Sequence, residues 1–372
     1  MAAPPSMAMP RALTILVGTA SAVIVAAGVQ AAAWLVDPVV LALVIVIAVH
    51  PVHDRLRRWG LPPWAAVLVL LLLAYGVLLV LAGVVVVSVA RLATILPTYA
   101  GHANELLQSV TAALARFGVG PDQLRVLNGE ASYARLLGFI GTLLLGVTSL
   151  AGNLVFLLTL LLFLVIESTG APARMMALAE DRAPIAAALG RFTSGTRRFL
   201  GITTVIGLLT GLVDALALSL LGVPLAVLWG LLAFITNYIP YVGFFIGLVP
   251  PALLALLGGG WQLLVLVAVI YIVVNFVLTS LVQPRFVGDA VGLSVTVTLV
   301  ALVFWGWLLG PLGALLAIPL TLLVKALLID VDPRASWAET LLASAHTTRP
   351  RWVRPRVVRR PDDPPVSRGG IA

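Results

Sequence analysis

From Ala215 to Pro284 the chain carries no aspartate, glutamate, lysine or arginine. An uncharged stretch of that length cannot coat a water-exposed surface. It is also several times the roughly 20 helical residues that a bilayer core of about 30 Å requires. Shorter uncharged runs occupy 12–36, 38–53, 59–90, 136–166, 199–213 and 290–324. Only 10% of the 372 residues are charged and 61% are hydrophobic, whereas a soluble domain carries about 25% charged residues. The chain is therefore integral to a membrane. The fold expected is all-α and polytopic, with about eight transmembrane segments. Runs 59–90 and 136–166 read as one span each. Residues 199–284 are too long for fewer than three, with Gly222-Val223-Pro224 and Gly258–Gly260 as punctuation.

Three segments are wrong for single straight helices. Residues 12–50 are interrupted by Asp37-Pro38, giving two short spans or a hairpin. Residues 224–257 would make a helix of roughly 50 Å and 291–328 one of nearly 60 Å. Pro240, Gly243 and Pro250-Pro251 cut the first of these; Pro311, Gly313 and Pro319 cut the second. Such breaks free backbone N–H and C=O groups, which at membrane depth are tolerated only where protein or a water-filled cavity satisfies them. The expectation is a Pro/Gly-broken or re-entrant architecture.

The membrane domain spans 11–329, with an extramembrane helical insertion at 91–137 and a cytoplasmic segment at 167–198. Within the insertion, Leu106, Leu107, Val110, Leu114 and Phe117 recur at helical spacing, Gly118 is placed to end that helix, and Gly120-Pro121-Asp122 begins another. Residues 330–372 form a basic tail with the composition of a disordered segment. Arginine placement sets the orientation. With both termini cytoplasmic, Arg11, the cluster Arg55, Arg57 and Arg58, the arginines of 167–198 and those of the tail lie inside. Arg91, Arg116, Arg125, Arg135 and Arg285 then lie outside. The net charge of +8 is thus a matter of topology and lipid attraction, not of nucleic-acid binding. Residues 12–29 read as an uncleaved first helix rather than a signal peptide. The absence of cysteine excludes disulfides and thiolate chemistry. His50, His53, His102 and His346 are too scattered to point to a zinc site, so neither metal nor cofactor is expected. No Walker loop, nucleophile elbow or H-E-x-x-H appears, which argues against an enzyme.

The longest local signal is LGVPLAVLWGLLAFITNYIPYVGFFIGLVPPALLALL (221–257), with Ile239-Pro240-Tyr241-Val242-Gly243 at its centre. VQPRFVGDAVGL (282–293) and WGWLLGPLGALLAIPL (305–320) follow. In order and spacing these stretches resemble the autoinducer-2 exporter-like transporter family, and AVHPVHDRLRRWGLPPWAAVLVLLLL (48–73) is similar to its link between second and third spans. The family pattern falls on Ile239, Pro240, Tyr241, Val242 and Gly243, on Pro284, Arg285 and Gly288, and on Gly310, Gly313 and Pro319. The resemblance implies a bacterial inner-membrane transporter of a small polar solute such as a quorum-sensing signal. It also implies a homo-oligomer, with a pentamer as the expected state. Sodium/proton antiport is the alternative within the family, and a non-transporting scaffold the alternative outside it. Leu278 stands where members often carry an acid, and Ser294-Val295 where they often have His-Pro, which weighs against antiport.

Residue chemistry points to the same places. Trp229-Gly230…Pro240…Gly243…Pro250 and Trp305-Gly306…Pro311…Gly313…Pro319 repeat an order of landmarks, and paired interrupted segments mark a transporter's substrate site. The candidate path residues are Asn237, Pro240, Tyr241, Gly243, Gly310, Pro311, Gly313 and Pro319. Asp214 is an acid among apolar neighbours, at an insertion cost of about 2.5–3.5 kcal/mol. It is a candidate coupling residue, alongside the polar intramembrane candidates Asn275 and Arg285. Trp34, Trp59, Trp64, Trp261 and Trp305 near span ends read as an interfacial belt.

Overall fold

A computed structural model describes residues 11–99, 152–282 and 293–331, together with isolated positions between 101 and 138. The residues that mark the predicted helix over 106–117 (Leu106, Leu107, Val110, Leu114 and Phe117), the Gly120-Pro121-Asp122 start, the Pro284–Gly288 turn and the tail beyond Val331 lie outside the described residues. Among those described there is no strand, as a chain that must satisfy its own backbone in lipid requires.

The helices are α1 (Arg11–Ala31), α2 (Ala33–Arg58), α3 (Pro63–Ile95), α4 (Gly152–Ser168), α5 (Ala171–Asp181), α6 (Ala183–Leu220), α7 (Ala226–Thr236), α8 (Gly243–Phe276), α9 (Val295–Leu315) and α10 (Ala317–Leu328). A 3₁₀ turn, Leu96–Tyr99, closes α3, and a π-helical stretch, Val277–Val282, follows α8. Among the described residues, five helices are long and apolar enough to cross a membrane, or six if α4 and α5, bent by 58°, make one span. At 11 and 12 residues, α7 and α10 reach only about 16 and 18 Å, roughly half a bilayer core.

Several expected breaks fall elsewhere. The first hairpin does not turn at Asp37-Pro38: α1 ends at Ala31, and α2 runs unbroken through Pro38. Pro38 lies within two turns of the α2 start, where the missing N–H forfeits a single bond. Pro250-Pro251 likewise sit inside α8 without ending it. Pro319 is the third residue of α10, a position whose N–H has no intrahelical partner in any helix, so it starts a helix instead of cutting one. The glycine punctuation holds. Gly260 interrupts α8 at φ 69°, ψ −170°, and Gly310 interrupts α9 at φ 67°, ψ −149°. Both conformations belong to a region that essentially only glycine occupies. Residues 167–198 are α5 and the first half of α6, continuous with the span that follows.

With no hydrophobic drive between helices inside lipid, packing and interhelical hydrogen bonds hold the bundle. Ala42 and Val46 of α2 meet Leu70 of α3 and Leu157, Leu161 and Val165 of α4. The Tyr75 hydroxyl donates to the Leu158 carbonyl across the same contact. Ile47 of α2, Ala188 and Phe192 of α6, and Ile318, Leu322 and Ala326 of α10 form a second cluster. Pro51 has no N–H to give the Ile47 carbonyl one turn earlier, and Arg197 Nε of α6 donates to that oxygen at 3.0 Å instead. Asp330 accepts from Lys325 at 2.7 Å and from Arg191 at 3.2 Å, which ties the α10 end to α6.

Candidate functional site

The α6–α7 crossing positions everything around it. Gly207, Gly211 and Ala215 recur every fourth residue and form one small-residue stripe on α6. A methyl group on Gly211 would stand 2.4 Å from the Gly230 carbonyl oxygen. One on Gly230 would stand 2.3 Å from the Gly211 carbonyl oxygen and 2.6 Å from Ala215 Cβ. Gly207 meets Phe234 and Asn237 in the same way, so α7 runs antiparallel to α6 with backbones nearly touching. The signal for this contact, GxxxGxxxA, is plain in the sequence and went unused in the reading above.

Because α7 stops after about 16 Å, its end lies within the membrane depth of α6. There the chain turns through Asn237–Val242. The Ile239 N–H donates to the Thr236 carbonyl at 2.9 Å, that of Val242 to Pro240 at 2.7 Å, and that of Gly243 to Ile239 at 3.0 Å. Gly243 is required: a Cβ there would lie 1.8 Å from the Thr236 carbonyl oxygen. Tyr241 adopts φ 64°, left-handed backbone that costs a non-glycine residue about 1–2 kcal/mol. Tyr241 and Val242 are exposed, while Pro240 is half-buried. The Asn237 amide donates to the Thr203 carbonyl of α6 at 3.3 Å, and the Tyr238 hydroxyl is hydrogen-bonded to Thr204 Oγ1 at 2.6 Å. Asn237 therefore bridges two helices.

The second break closes similarly. After Gly310, Pro311 and Leu312, Gly313 returns so near α9 that a Cβ would lie 2.0 Å from the Trp305 carbonyl oxygen. Trp305 Nε1 donates to Thr321 Oγ1 of α10 at 3.1 Å. The carbonyl of Trp307, one turn before Pro311, accepts from Gln30 Nε2 of α1 at 3.3 Å. In both breaks a glycine packs against a carbonyl two turns earlier. The match stops there, since Gly230 is locked against Gly211 while Gly306 meets nothing closer than Ala314 at 3.7 Å. Leu308, Leu309, Leu316 and Leu320 share an apolar cluster with Val44 of α2 and Leu200 of α6, and Tyr238 packs against it. Tyr238, a residue without a periodic or charge signal in the sequence, thus borders the cluster that holds the leucines of the second break. Pro311 is exposed, and Pro319 is fully buried in α10.

Asp214 belongs to a different place, about 15 Å further along α6 than Thr204. It is 1% exposed. Tyr271, from the arm of α8 after Gly260, is 3% exposed and within electrostatic reach of that carboxylate. Neither Asp214 Oδ1 nor the Tyr271 hydroxyl has a hydrogen-bond partner among the described residues. Asn275 lies one turn beyond Tyr271, half-buried, its carbonyl accepting from Thr279 at 2.6 Å. Arg285 lies outside the described residues. Asp37, read as a break, is instead a second acid inside a spanning helix, and its Oδ1 is also buried without a partner among the described residues. A cleft of about 640 Å³ lies away from both breaks, between α3 (Gly83, Val87, Arg91) and the α6–α7 turn at Pro224–Leu228. The expectation of scattered histidines is corrected at one point. His50, His53 and Asp54 meet on a single face of α2, because spacings of three and four residues return to the same side of a helix.

An all-helical, multi-pass membrane protein with paired proline–glycine breaks, each beside a helix too short to cross, has the architecture of a membrane transporter. The chain belongs to the AI-2E transporter family: the model described as AI-2E family transporter matches residues 14–331. The "AI-2 transport protein TqsA" of Escherichia coli (strain K12) is 34% identical over 317 residues, covering 84% of this chain and 91% of the relative. "Putative transport protein YhhT" of the same organism is 30% identical over 311 residues, covering 84% and 89%. A "Putative transport protein" of Haemophilus influenzae is 29% identical over 328 residues, covering 87% and 94%. The resemblance carried by the three C-terminal stretches is confirmed, and a non-transporting scaffold does not fit such a family.

Proposed function

We propose that the chain moves a small polar solute across the bacterial inner membrane, outward, by alternating access around the two breaks, with both termini in the cytoplasm. The observation that carries this reading is the pair of glycine-closed breaks at Gly243 and Gly313, with Tyr238 and the strained Tyr241 at the first and Tyr238 bordering the apolar cluster of the second. Asn237, Pro240, Tyr241 and Gly243 would line one side of the path, and Gly310, Pro311, Gly313 and Pro319 the other. The name of TqsA makes the quorum signal AI-2 the first solute to try. A homo-oligomer, with five copies as the expected number, fits the broad apolar surface of the single chain. The native chain has no cysteine, so single cysteines across 237–243 and 310–319 can be probed with a membrane-impermeant thiol reagent on a silent background. Labelling that solute protects against supports the path. Inert cysteines throughout both segments refute it.

A second reading, sodium/proton antiport, is favoured by one observation: the buried carboxylate of Asp214, whose Oδ1 has no hydrogen-bond partner among the described residues. Purified protein in liposomes separates the two. AI-2 efflux without a sodium-dependent pH change supports the first reading, and the reverse supports the second.

A further inference from the structure

We propose that His50, His53 and Asp54, near the end of α2, form a binding site for a divalent transition-metal ion, with Zn²⁺ the best fit. The proposal is independent of the transported solute. His50 Nδ1 lies 3.2 Å from Asp54 Oδ2, and His53 Nδ1 lies 3.7 Å from Asp54 Oδ1. One ligand atom from each of the three residues falls within 4.8 Å of the others. Zinc bound tetrahedrally at about 2.0–2.1 Å keeps its ligand atoms roughly 3.3 Å apart, so both imidazoles already stand near coordination spacing from the carboxylate, each from a different oxygen, and a small closure completes the set. The imidazoles are largely covered, with side chains 16% and 15% exposed, while the carboxylate is half-exposed. An ion would therefore enter from the Asp54 side. Two imidazoles and a carboxylate suit zinc, nickel and copper better than calcium or magnesium, which prefer oxygen donors.

The surroundings cut both ways. The negative end of the α2 dipole favours a cation, whereas Arg55, Arg57 and Arg58 on the last turn oppose one. Arg58 Nε donates to the Asp54 backbone carbonyl at 3.3 Å, which leaves the carboxylate to the imidazoles. His53 Nε2 is buried without an acceptor among the described residues, and a metal-bound histidine normally has one. Binding is accordingly expected to be ten- to a hundredfold weaker than at a fully supported site. The ion would clip together the turn that Pro51 deprives of a backbone bond, beside the Arg197–Ile47 contact that anchors α2 to α6.

The test is equilibrium dialysis of the full-length, tag-free, chelator-washed protein in detergent against Zn²⁺, with Co²⁺ as a spectroscopic probe. One ion per chain and the visible absorption of Co²⁺ held by nitrogen ligands are expected. His50→Gln and His53→Gln should each weaken binding at least tenfold, and the double variant His102→Gln/His346→Gln should bind as the wild type does. Helicity is checked on every variant. A wild-type protein that binds no ion, or a folded His50→Gln/His53→Gln protein that binds as the wild type does, overturns the proposal.

Discussion

Adding one methyl group to Gly211 or Gly230 tests the α6–α7 crossing directly. The obstacle in each case is backbone: the Gly230 carbonyl oxygen at 2.4 Å and the Gly211 carbonyl oxygen at 2.3 Å. No side chain can rotate away, so the helices must part by about 0.6 Å for Gly211 and about 0.7 Å for Gly230 to reach the roughly 3.0 Å at which a methyl can sit beside a carbonyl oxygen. Overpacking of this kind costs about 1–3 kcal/mol, and two facing backbones place these variants in the upper half of that range. At roughly 2–4 °C per kcal/mol for domains of 150–250 residues, a loss of several degrees is expected. Gly201→Ala is the control. Gly201 is exposed on the same helix with nothing within 4 Å of the added atom, so the better helix propensity of alanine should leave stability unchanged or raise it by about 0.5–1 kcal/mol. Thermal melting in detergent reads the stability. Flux in liposomes reads the consequence, because the Asn237–Thr203 and Tyr238–Thr204 bonds lie on the same interface and lengthen as the helices part. If Gly211→Ala and Gly230→Ala melt and transport like Gly201→Ala, the helices do not cross at these glycines.

Arg197→Met should destabilise the protein by about 1–3 kcal/mol, since it strands the buried Ile47 carbonyl. The loss should shrink in a Pro51→Ala background, where a backbone N–H is again available, and a double-mutant melting cycle measures that coupling. Asp214→Asn removes a charge from the membrane interior, so the melting temperature should rise, and any sodium or pH dependence of flux should vanish. A flux and pH profile identical to wild type would leave Asp214 without a coupling role. Tyr241→Gly relieves left-handed strain of about 1–2 kcal/mol. The variant should melt no lower than wild type yet transport more slowly, a pairing that separates a path-lining ring from a structural one.

What was legible in the sequence were features written in a single residue or a short run. Uncharged runs located the membrane helices, Gly258–Gly260 marked the sharp turn made at Gly260, and Pro240 with Gly243 marked the end of α7. Prolines misled where position within the helix decided the outcome. Pro38 and Pro250-Pro251 are absorbed inside helices, and Pro319 occupies a first turn, yet all were read as breaks alongside the true ones. Asp37 was overlooked as an intramembrane acid for the same reason, since the proline beside it marked it as a turn. Tyr271 and Tyr238 escaped notice because an aromatic in an apolar run carries no periodic or charge signal. Their importance comes from what faces them across the bundle.

The repair of broken backbone is the part no local pattern announces, and it explains how breaks can exist at membrane depth. The Ile47 carbonyl, orphaned by Pro51, is met by an arginine on another helix. The Trp307 carbonyl, freed at the second break, is met by Gln30 of α1. In each case a charged or amide side chain that would be costly in lipid is offset by an acceptor that would be equally costly alone. Each donor therefore requires its break, and each break its donor. If α1 and α9 part when the proposed path opens, water entering it can replace either partner of the Gln30–Trp307 bond. Gln30→Leu should accordingly weaken the closed state around Gly310 more than the open one. If cysteines at 310–319 become more reactive to an aqueous thiol reagent in that variant, the α1 contact is one of the bonds that must break for the path to open. If their reactivity is unchanged, Gln30 serves α1 placement alone and that step is wrong.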